Sequence, residues 1–297
     1  MKYAVLGAAG QLGRDLGPRL AGEVTLLTRE RADLTRPDLL RATLTELRPD
    51  VVVNCAAYNF VDRAESEPSA AFAVNAWGVR DLALVCRELD CTLVHFSTDY
   101  VFGLDETRTT PWTEADAPGP VSVYGLSKLA GEYLVRSLCP RHLVVRTCGL
   151  YGVWGGGGKG GNFVETMLRL AGQGKPLRVV ADQTCTPSYT VDVAEATTAL
   201  LATGRYGLFH VTNAGACSWH ELAHATFELA GVTAQLTPIT SAEFGAAARR
   251  PRYSVLAPAA GQAPLRPWRE ALAAYLHERR CKGTPPEVSP SSAYLTP

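Results

Sequence analysis

The sequence predicts an α/β fold: a doubly wound parallel sheet with helices on both faces, and a smaller lobe formed mainly by the C-terminal part of the chain. Two observations predict it. Over the first 150 residues, short runs rich in β-branched residues alternate with longer segments of helical periodicity. Beyond residue 150 this alternation gives way to a glycine-rich stretch, residues 152–161, followed by another helical segment.

The pattern places each element in turn. Strands are predicted at residues 3–6, 24–28, 51–55, 92–97 and 142–146. Helices are predicted between and after them, at residues 11–20, 37–47, 66–89, 122–138 and 162–172. Consecutive strands joined by helices lie parallel in one sheet, so the carboxyl ends of these strands should share one edge.

The composition excludes several classes of function. Lys plus Arg and Asp plus Glu both number 29, so no basic surplus suits the chain to nucleic acid or to an anionic membrane. The chain begins directly in a strand without signal-peptide features, and no charge-free segment reaches transmembrane length. Its eight cysteines show neither C-x-x-C pairs nor a nearby histidine pattern, so we expect free thiols, no metal and a cytoplasmic location.

The first predicted strand leads into a glycine-rich turn that opens a helix. Gly7, Gly10 and Gly13 form a G-x-x-G-x-x-G pattern, whose glycines let the backbone approach a pyrophosphate. The helix N-terminus that follows, at Gln11 and Leu12, offers unpaired N–H groups to that charge. We therefore predict a Rossmann-type fold that binds a dinucleotide, NADPH or NADH.

This prediction divides the chain by role. Residues 1–150 are expected to form a dinucleotide-binding Rossmann domain, to which segments from about 180–215 return. Residues 151–281 should form mainly a substrate-binding lobe. Residues 282–297 are rich in Pro and Ser with few apolar anchors, which predicts a flexible tail.

The end of the second predicted strand bears on the choice of cofactor. It reaches Arg29 without the acidic residue that binds a ribose 2′-hydroxyl in NAD-selective sites. Arg29 can accept a 2′-phosphate instead, or it can be a solvated surface arginine. Asp33 and Leu34 follow in a loop placed to meet the adenine, although Asp33 can equally cap the helix that starts at Pro37.

Three residues predict a site of proton transfer. Tyr124 and Lys128 lie four residues apart on a predicted helix, and hence on one face. Reduction of a ketone needs a proton for the developing alkoxide, and a neighbouring ammonium makes a tyrosine a better donor. Thr98, at the end of the fourth predicted strand, can hydrogen-bond the same oxygen. The plainer alternative is that Tyr124 is a surface aromatic and Lys128 an exposed helix charge.

These residues resemble a known family, the extended short-chain dehydrogenases, and within it the dTDP-4-dehydrorhamnose reductases. The resemblance extends to about Trp268 and includes many separated stretches, so it is more specific than any single motif. Beyond the motifs above, it is carried by residues 49–58, 61–65, 74–76, 97–103, 161–164, 182–183 with Pro187, 250–251 with Ser254 and Leu256, and Trp268.

The resemblance implies hydride delivery from NAD(P)H to C4 of a dTDP-4-keto-6-deoxy sugar, giving dTDP-L-rhamnose or a relative. It makes Tyr124 the proton donor and places Lys128 on the nicotinamide ribose. By position, the other residues expected at the cofactor are Gly7, Gly10, Gln11, Leu12, Gly13, Arg29, Asp33, Leu34, Ala56, Ala57, Tyr58, Asn59 and Asn75. Those expected at the sugar nucleotide are Thr98, Asp99, Tyr124, Gly149, Asn162 and Arg250, with Arg250 either pairing with the diphosphate or capping a helix.

One departure from the family bears on the substrate. The family usually has Arg-Thr-Ser-Trp where this chain has Arg146 to Gly149, so the aromatic wall of the sugar pocket is replaced by glycine. The sugar can then be differently substituted or bigger. We hypothesise that the stretch at 152–161 is a mobile lid whose Trp154 replaces the missing wall; the alternative is a disordered insertion.

Two other functions remain open at this point. A 4-epimerase of the same superfamily would keep its nicotinamide bound and recycle it, while a cofactor-binding regulatory subunit, like that of methionine adenosyltransferase, would not need a proton donor. Family resemblance also implies a homodimer formed through helices that flank the sheet. Some members use Mg²⁺ near a dimer contact, but no residue cluster here places one.

Overall fold

The structure, a computed structural model, describes residues 1–155, 161–258 and 264–282. Its strands, in chain order, are β1 (Lys2–Leu6), β2 (Glu23–Leu27), β3 (Val51–Asn54), β4 (Thr92–Thr98), β5 (His142–Thr147), β6 (Leu150–Tyr151), β7 (Leu177–Val180), β8 (Thr184–Cys185), β9 (Ser188–Tyr189), β10 (Gly207–His210), β11 (Cys217–Ser218) and β12 (Leu236–Ile239). Its α-helices are α1 (Gln11–Leu16), α2 (Pro37–Leu47), α3 (Val61–Ser66), α4 (Pro68–Phe72), α5 (Gly78–Glu88), α6 (Val123–Leu138), α7 (Phe163–Ala171), α8 (Thr190–Ala202), α9 (Trp219–Ala230), α10 (Ser241–Phe244) and α11 (Trp268–Lys282).

Six strands form a central parallel sheet in the order β10-β5-β4-β3-β1-β2. Successive side chains of a strand point to opposite faces, and β1 shows how both faces are covered. Ala4 and Leu6 pack into a core with α2 and α5, whereas Val5 packs into a second core with α1 and α8. The predicted Rossmann-type sheet with helices on both faces is therefore confirmed.

The helix predicted at residues 66–89 is wrong as a single element. The structure divides this region into α3, α4, a π-helical turn at Ala73–Trp77 and α5. Pro68 explains the first break, because proline lacks an N–H and its ring keeps the preceding residue out of the helical conformation. Glu67 accordingly has φ −126° and ψ 53°. The other predicted helices and strands begin and end within a few residues of those observed.

Beyond β5, the chain forms smaller layers beside the carboxyl edge of the sheet. The strand pairs β6·β9 and β7·β12 are parallel, and β8·β11 is antiparallel. The rings of Tyr151, Tyr189 and Tyr275 pack together at 5.2–5.9 Å between centroids, in a core with α9 and α11. Between these layers the chain returns to the sheet, where α8 packs against α1 and β10 forms one edge.

Candidate active site

A cavity of about 610 Å³ lies at the carboxyl edge of the sheet. Open α/β sheets bind ligands at this edge. Its walls come from the loops after β3 and β4, from the start of α6, and from α7 and α9. Arg250, in the loop after α10, completes them. Among the residues predicted from sequence, those that line it are Gln11, Asn59, Thr98, Asp99, Tyr124, Gly149, Asn162 and Arg250.

The glycine turn after β1 is tightly packed against neighbouring backbone. Gly7 has φ +68°, and a Cβ there would lie 2.6 Å from the nitrogen of Ala56, in the segment that follows β3. A Cβ on Gly13 would lie 2.7 Å from the carbonyl oxygen of Gly7. Glycine is required at both positions, because any side chain would push α1 and β3 away from the turn. Gly10 is the N-cap residue of α1.

Gln11 connects this turn to the cavity. Its Nε2 donates to the carbonyl oxygen of Leu150 at 3.2 Å. Within the described residues its Oε1 is buried without a hydrogen-bond partner. A buried unpaired acceptor is costly, so this oxygen is suited to a donor group on a bound ligand.

The segment after β3 is held in place by two asparagines. The Oδ1 of Asn54 accepts from the nitrogen of Ala56 at 3.0 Å, and the Oδ1 of Asn75 accepts from that of Tyr58 at 2.9 Å. The Nδ2 of Asn75 donates to the carbonyl oxygen of Tyr58 and to Ser127. The buried Asn75 amide thus supports the segment from beneath, whereas Ala57 and Asn59 are exposed.

Arg29 and Asp33 contact each other after β2. The Nε of Arg29 donates to Asp33 at 2.9 Å, while the side chain of Arg29 stays 79% exposed. Asp33 also accepts from the backbone and hydroxyl of Thr35. It makes no capping bond to α2, whose N-cap is Arg36, so the alternative that Asp33 caps this helix is wrong. Leu34 is buried in the core beneath this loop.

Tyr124 and Lys128 occupy different depths of α6. Tyr124 lines the cavity in the first turn, next to Tyr100, whose ring centroid lies 5.9 Å away. Lys128 is buried one turn later, where its Nζ donates to the carbonyl oxygen of Phe96 at 2.7 Å. Burial lowers the pKa of Lys128 to about 8, against the opposing charge of Glu132. The plainer alternative of an exposed lysine is therefore wrong.

Thr98 and Asp99 form the floor of the cavity at the end of β4. The hydroxyl of Thr98 accepts from the nitrogen of Tyr100 at 3.2 Å and donates to Asp99 at 3.1 Å. The other carboxylate oxygen of Asp99 accepts from Ser254 at 2.6 Å. Burial raises the pKa of Asp99, although hydrogen bonds from Ser254, Cys148 and Thr98 oppose the shift. Polar groups at the base of the cavity are thus fixed before any ligand binds.

Arg250 enters the cavity held by Asp62, a partner that the sequence interpretation missed. Its Nη1 and Nη2 donate to the two carboxylate oxygens of Asp62 at 2.7 and 2.6 Å. Nη1 also donates to the carbonyl oxygen of Ala248, which lies outside any helix. These contacts of Arg250 are therefore not helix caps. Asp62 lies in the stretch 61–65 that carries the family resemblance, but nothing in that stretch indicated Arg250 as its partner.

The aromatic wall beside Gly149 comes from Trp219. Gly149 has φ +51°, and a Cβ there would lie 3.5 Å from the Cη2 atom of Trp219. The indole of Trp219 packs on Phe163 at 4.9 Å between ring centroids, and both side chains line the cavity with Asn162. The sequence analysis missed Trp219, because nothing near residue 149 in the chain points to it.

Trp154 does not line the cavity in this structure, and the space beside Gly149 is bounded by Trp219 instead. The Nε1 of Trp154 donates to Asp15 on α1 at 2.9 Å. Its ring lies between Arg14 and Lys282, at 5.2 and 4.8 Å from the ring centroid. Most of the proposed lid, residues 156–160, lies outside the described part of the chain.

Comparison with known proteins identifies the family. The family model described as "RmlD substrate binding domain" matches residues 1–281. A dTDP-4-dehydrorhamnose reductase from Streptomyces griseus is 43% identical over 285 residues, with 91% of each chain covered. This chain belongs to the dTDP-4-dehydrorhamnose reductase family. The resemblance inferred from the sequence motifs is confirmed.

Two further members of the family show its range. A probable dTDP-4,6-dihydroxy-2-methyloxan-3-one 4-ketoreductase from Streptomyces antibioticus is 42% identical over 285 residues, covering 92% of this chain and 93% of that one. The crystal structure of the Bacillus anthracis dTDP-4-dehydrorhamnose reductase in complex with NADP has a TM-score of 0.88 and 36% identity, covering 93% of this chain and 99% of that one.

The glycine turn and its surroundings fit the nicotinamide dinucleotide of this family. Gly7 and Gly13 let the turn pack directly against neighbouring backbone at the start of α1, and Gln11, which lines the cavity, has a buried Oε1 without a partner among the described residues. In residues 1–155, 161–258 and 264–282, no group of three or more His, Cys, Asp or Glu side chains could hold a metal ion. Within the same ranges, no helix is both long enough and apolar enough to cross a membrane.

Proposed function

We propose that this chain reduces the C4 keto group of a dTDP-4-keto-6-deoxy sugar with NADPH or NADH, in the biosynthesis of dTDP-L-rhamnose or a related deoxysugar. The observation that carries the proposal is the placement of Tyr124. It lines the cavity beside Thr98 and lies one helical turn before the buried Lys128. This is the set of groups that proton transfer to a reduced carbonyl requires.

A nicotinamide bound along the glycine turn would supply the hydride. Tyr124 donates its phenolic proton to the alkoxide oxygen, and the Thr98 hydroxyl turns its single proton from Asp99 to the same oxygen as charge develops. Lys128 carries its positive charge into the interior, where a low dielectric strengthens its influence on the phenol. Since its Nζ donates to Phe96, the ammonium is fixed in orientation.

The remaining predicted residues divide between the two ligands. Asp99, Gly149 and Asn162 contact the sugar, and Arg250 binds the diphosphate through charge-assisted hydrogen bonds. Asn75 acts by supporting the segment of Ala56 to Asn59 rather than by direct contact. The cofactor lies along Gly7, Gly10, Gln11, Leu12, Gly13, Arg29, Asp33, Leu34, Ala56, Ala57, Tyr58 and Asn59.

This division of roles gives two domains. Residues 1–150, with the returning segments at about 180–215, bind the cofactor, and residues 151–281 mainly bind the sugar nucleotide. The pairing of β10 within the central sheet and the packing of α8 on one of its faces support the returning segments. The eight cysteines support a reducing, cytoplasmic location, because each is a free thiol.

A homodimer is also part of the proposal. The supporting observation is a set of exposed large apolar side chains on two neighbouring helical elements: Trp77, before α5, and Leu126 and Tyr133, on α6. Leu126 and Tyr133 are seven residues apart and so share a helix face. Light scattering should give twice the chain mass, and Tyr133→Lys should shift it toward the monomer. A monomeric wild type at micromolar concentration would overturn this part.

The test of the reaction follows the loss of reduced nicotinamide with two dTDP-4-keto-6-deoxy sugars that differ at other ring positions. Two sugars are needed because relatives named for different keto sugars have nearly the same sequence identity to this chain. Wild type should oxidise NAD(P)H with at least one of them, and Tyr124→Phe should lose turnover while still binding cofactor. Cofactor that copurifies without net consumption would indicate a 4-epimerase. Cofactor binding with no turnover of either sugar would contradict the proposed reaction.

A further inference from the structure

The short helix α3 carries two carboxylates that contact different walls of the cavity. It follows the β3 loop, and Val61 and Asp62 in its first turn line the cavity themselves. Asp62 contacts Arg250, and Glu65 contacts the start of α6. The same six-residue helix therefore touches the elements that bear the proposed diphosphate ligand and the proposed proton donor.

Asp62 fixes both the side chain and the backbone around Arg250. Besides the two bonds from the guanidinium, its Oδ1 accepts from the nitrogen of Ala248 at 2.9 Å. Ala248 in turn accepts from Nη1 of Arg250 at 2.7 Å. The side chains of Arg250 and Asp62 are only 13% and 26% exposed, so solvent screens the pair weakly. A bidentate pair of this kind fixes the plane of the guanidinium as well as its position.

Glu65 fixes the start of α6. Its Oε1 accepts from the nitrogen of Val123, the first residue of the helix, at 2.8 Å. N–H groups in the first turn have no partner within their own helix, and a carboxylate there also interacts favourably with the helix dipole. The hydroxyl of Ser122 satisfies a second group, the nitrogen of Gly125, at 3.2 Å. Tyr124 lies between these two fixed points.

We infer that α3 sets the spacing between Arg250 and Tyr124, with Asp62 and Glu65 as positioning residues, and so selects substrates by the distance from their diphosphate to the carbonyl. The inference rests on the proposed function. A sugar nucleotide is held at its charged end and reacts at the other, so an error of about 1 Å in either anchor misplaces the carbonyl and can cost on the order of 100-fold in rate.

The first test separates binding from chemistry at Asp62. Asp62→Ala should weaken the binding of dTDP, measured by calorimetry, and raise the KM of the sugar nucleotide, each by about tenfold. NADPH affinity should not change. Asp62→Asn keeps one acceptor, so a smaller loss is expected, and it serves if the alanine variant does not fold. Combining Asp62→Ala with Arg250→Ala should add little to Arg250→Ala alone; additive losses would overturn the inference.

The second test concerns Glu65. Glu65→Ala should lower kcat about tenfold with dTDP affinity nearly unchanged, because Tyr124 is displaced while Arg250 is not. Glu65→Gln retains an amide oxygen that can accept from Val123, so it should restore most of kcat. A fall in kcat that glutamine does not restore, or an equal fall in dTDP affinity, would count against a positioning role.

Two controls remove general effects on the fold. Asp192 holds Arg266 in the same bidentate manner, at 2.6 and 2.8 Å, and neither residue lines the cavity. Asp192→Asn should lower thermal stability without a selective change in KM. The second control, Arg63→Gln, changes α3 at a side chain that is 60% exposed, and it should not change KM or kcat selectively. If the wild type reduces no keto sugar, the proposed function fails, and the dTDP measurements on Asp62 and Arg250 still decide whether α3 positions the anion site.

Discussion

Lys128 donates a hydrogen bond to the carbonyl oxygen of Phe96 in the interior, 2.7 Å away, one turn from Tyr124. Burial lowers the pKa of this lysine to about 8, and the carboxylate of Glu132 limits the shift. The ammonium therefore loses its proton as the pH rises through this value, well before an exposed lysine would. We expect kcat/KM to fall above pH 8. Profiles in which the alkaline limb lies near the pKa of a free lysine would contradict this assignment.

The lowered pKa of Lys128 also makes the stability of the fold depend on pH. The folded pKa of Lys128 lies below that of the unfolded chain, so between about pH 8 and the ordinary lysine pKa of 10.5 the unfolded state binds more protons. This group alone therefore makes the free energy of unfolding increase with pH across that window. Lys128→Met should remove this contribution, which urea unfolding of variant and wild type at pH 8 and pH 10 can detect.

The buried pair of Glu132 and Arg146 should be costly to break. Both side chains are at most 1% exposed, and the Nε and Nη2 of Arg146 donate to Glu132 at 2.9 and 2.7 Å. Glu132→Gln leaves an uncompensated guanidinium, which should destabilise the fold by about 3–5 kcal/mol. Urea unfolding of the variant and the wild type would measure this loss in the free energy of unfolding. The matched control is Glu88→Gln, which breaks a solvent-exposed pair with Arg41 and should cost far less stability than Glu132→Gln.

Arg29 should influence the preference between the two cofactors. Its side chain is exposed beside the proposed adenosine site and already donates to Asp33. A 2′-phosphate would attract its charge, whereas a 2′-hydroxyl would gain little. Arg29→Ala should therefore raise the KM of NADPH about tenfold while changing that of NADH little. Equal effects on both cofactors would indicate that Arg29 only orders the Asp33 loop.

The features that could be predicted are those set by residues close together in the chain. The glycine turn, the strand ends and the pair Tyr124/Lys128 are determined by neighbours within a few residues, since periodicity and turn chemistry act at that range. The interruption near Pro68 was missed because the predicted helix began at residue 66, and a proline is tolerated in the first turn of a helix. Contacts such as Asp62 with Arg250 join positions 188 residues apart, and no local pattern specifies such a partner.

The same limit applies to the expectation for Trp154. Proximity in the chain suggested it as the replacement for an aromatic side chain at position 149, yet its indole donates to Asp15 on α1. Trp219 lies 70 positions further along and contacts the space beside Gly149, because β8·β11 pairing and the start of α9 bring it there. Distance along the chain was a poor guide to which aromatic side chain fills the wall.

Replacing each tryptophan in turn distinguishes their roles. Trp219→Ala removes an aromatic face from the proposed sugar site, so we expect KM for the keto sugar to rise about tenfold while NADPH affinity is kept. Trp219→Phe should retain part of the wall and show a smaller rise. Trp154→Ala should leave KM unchanged but lower the melting temperature, because the buried Asp15 loses a hydrogen-bond donor. Steady-state kinetics and thermal unfolding on all three variants measure both effects. If Trp154→Ala raised KM as much as Trp219→Ala, the aromatic wall would have to be assigned to the glycine-rich stretch instead.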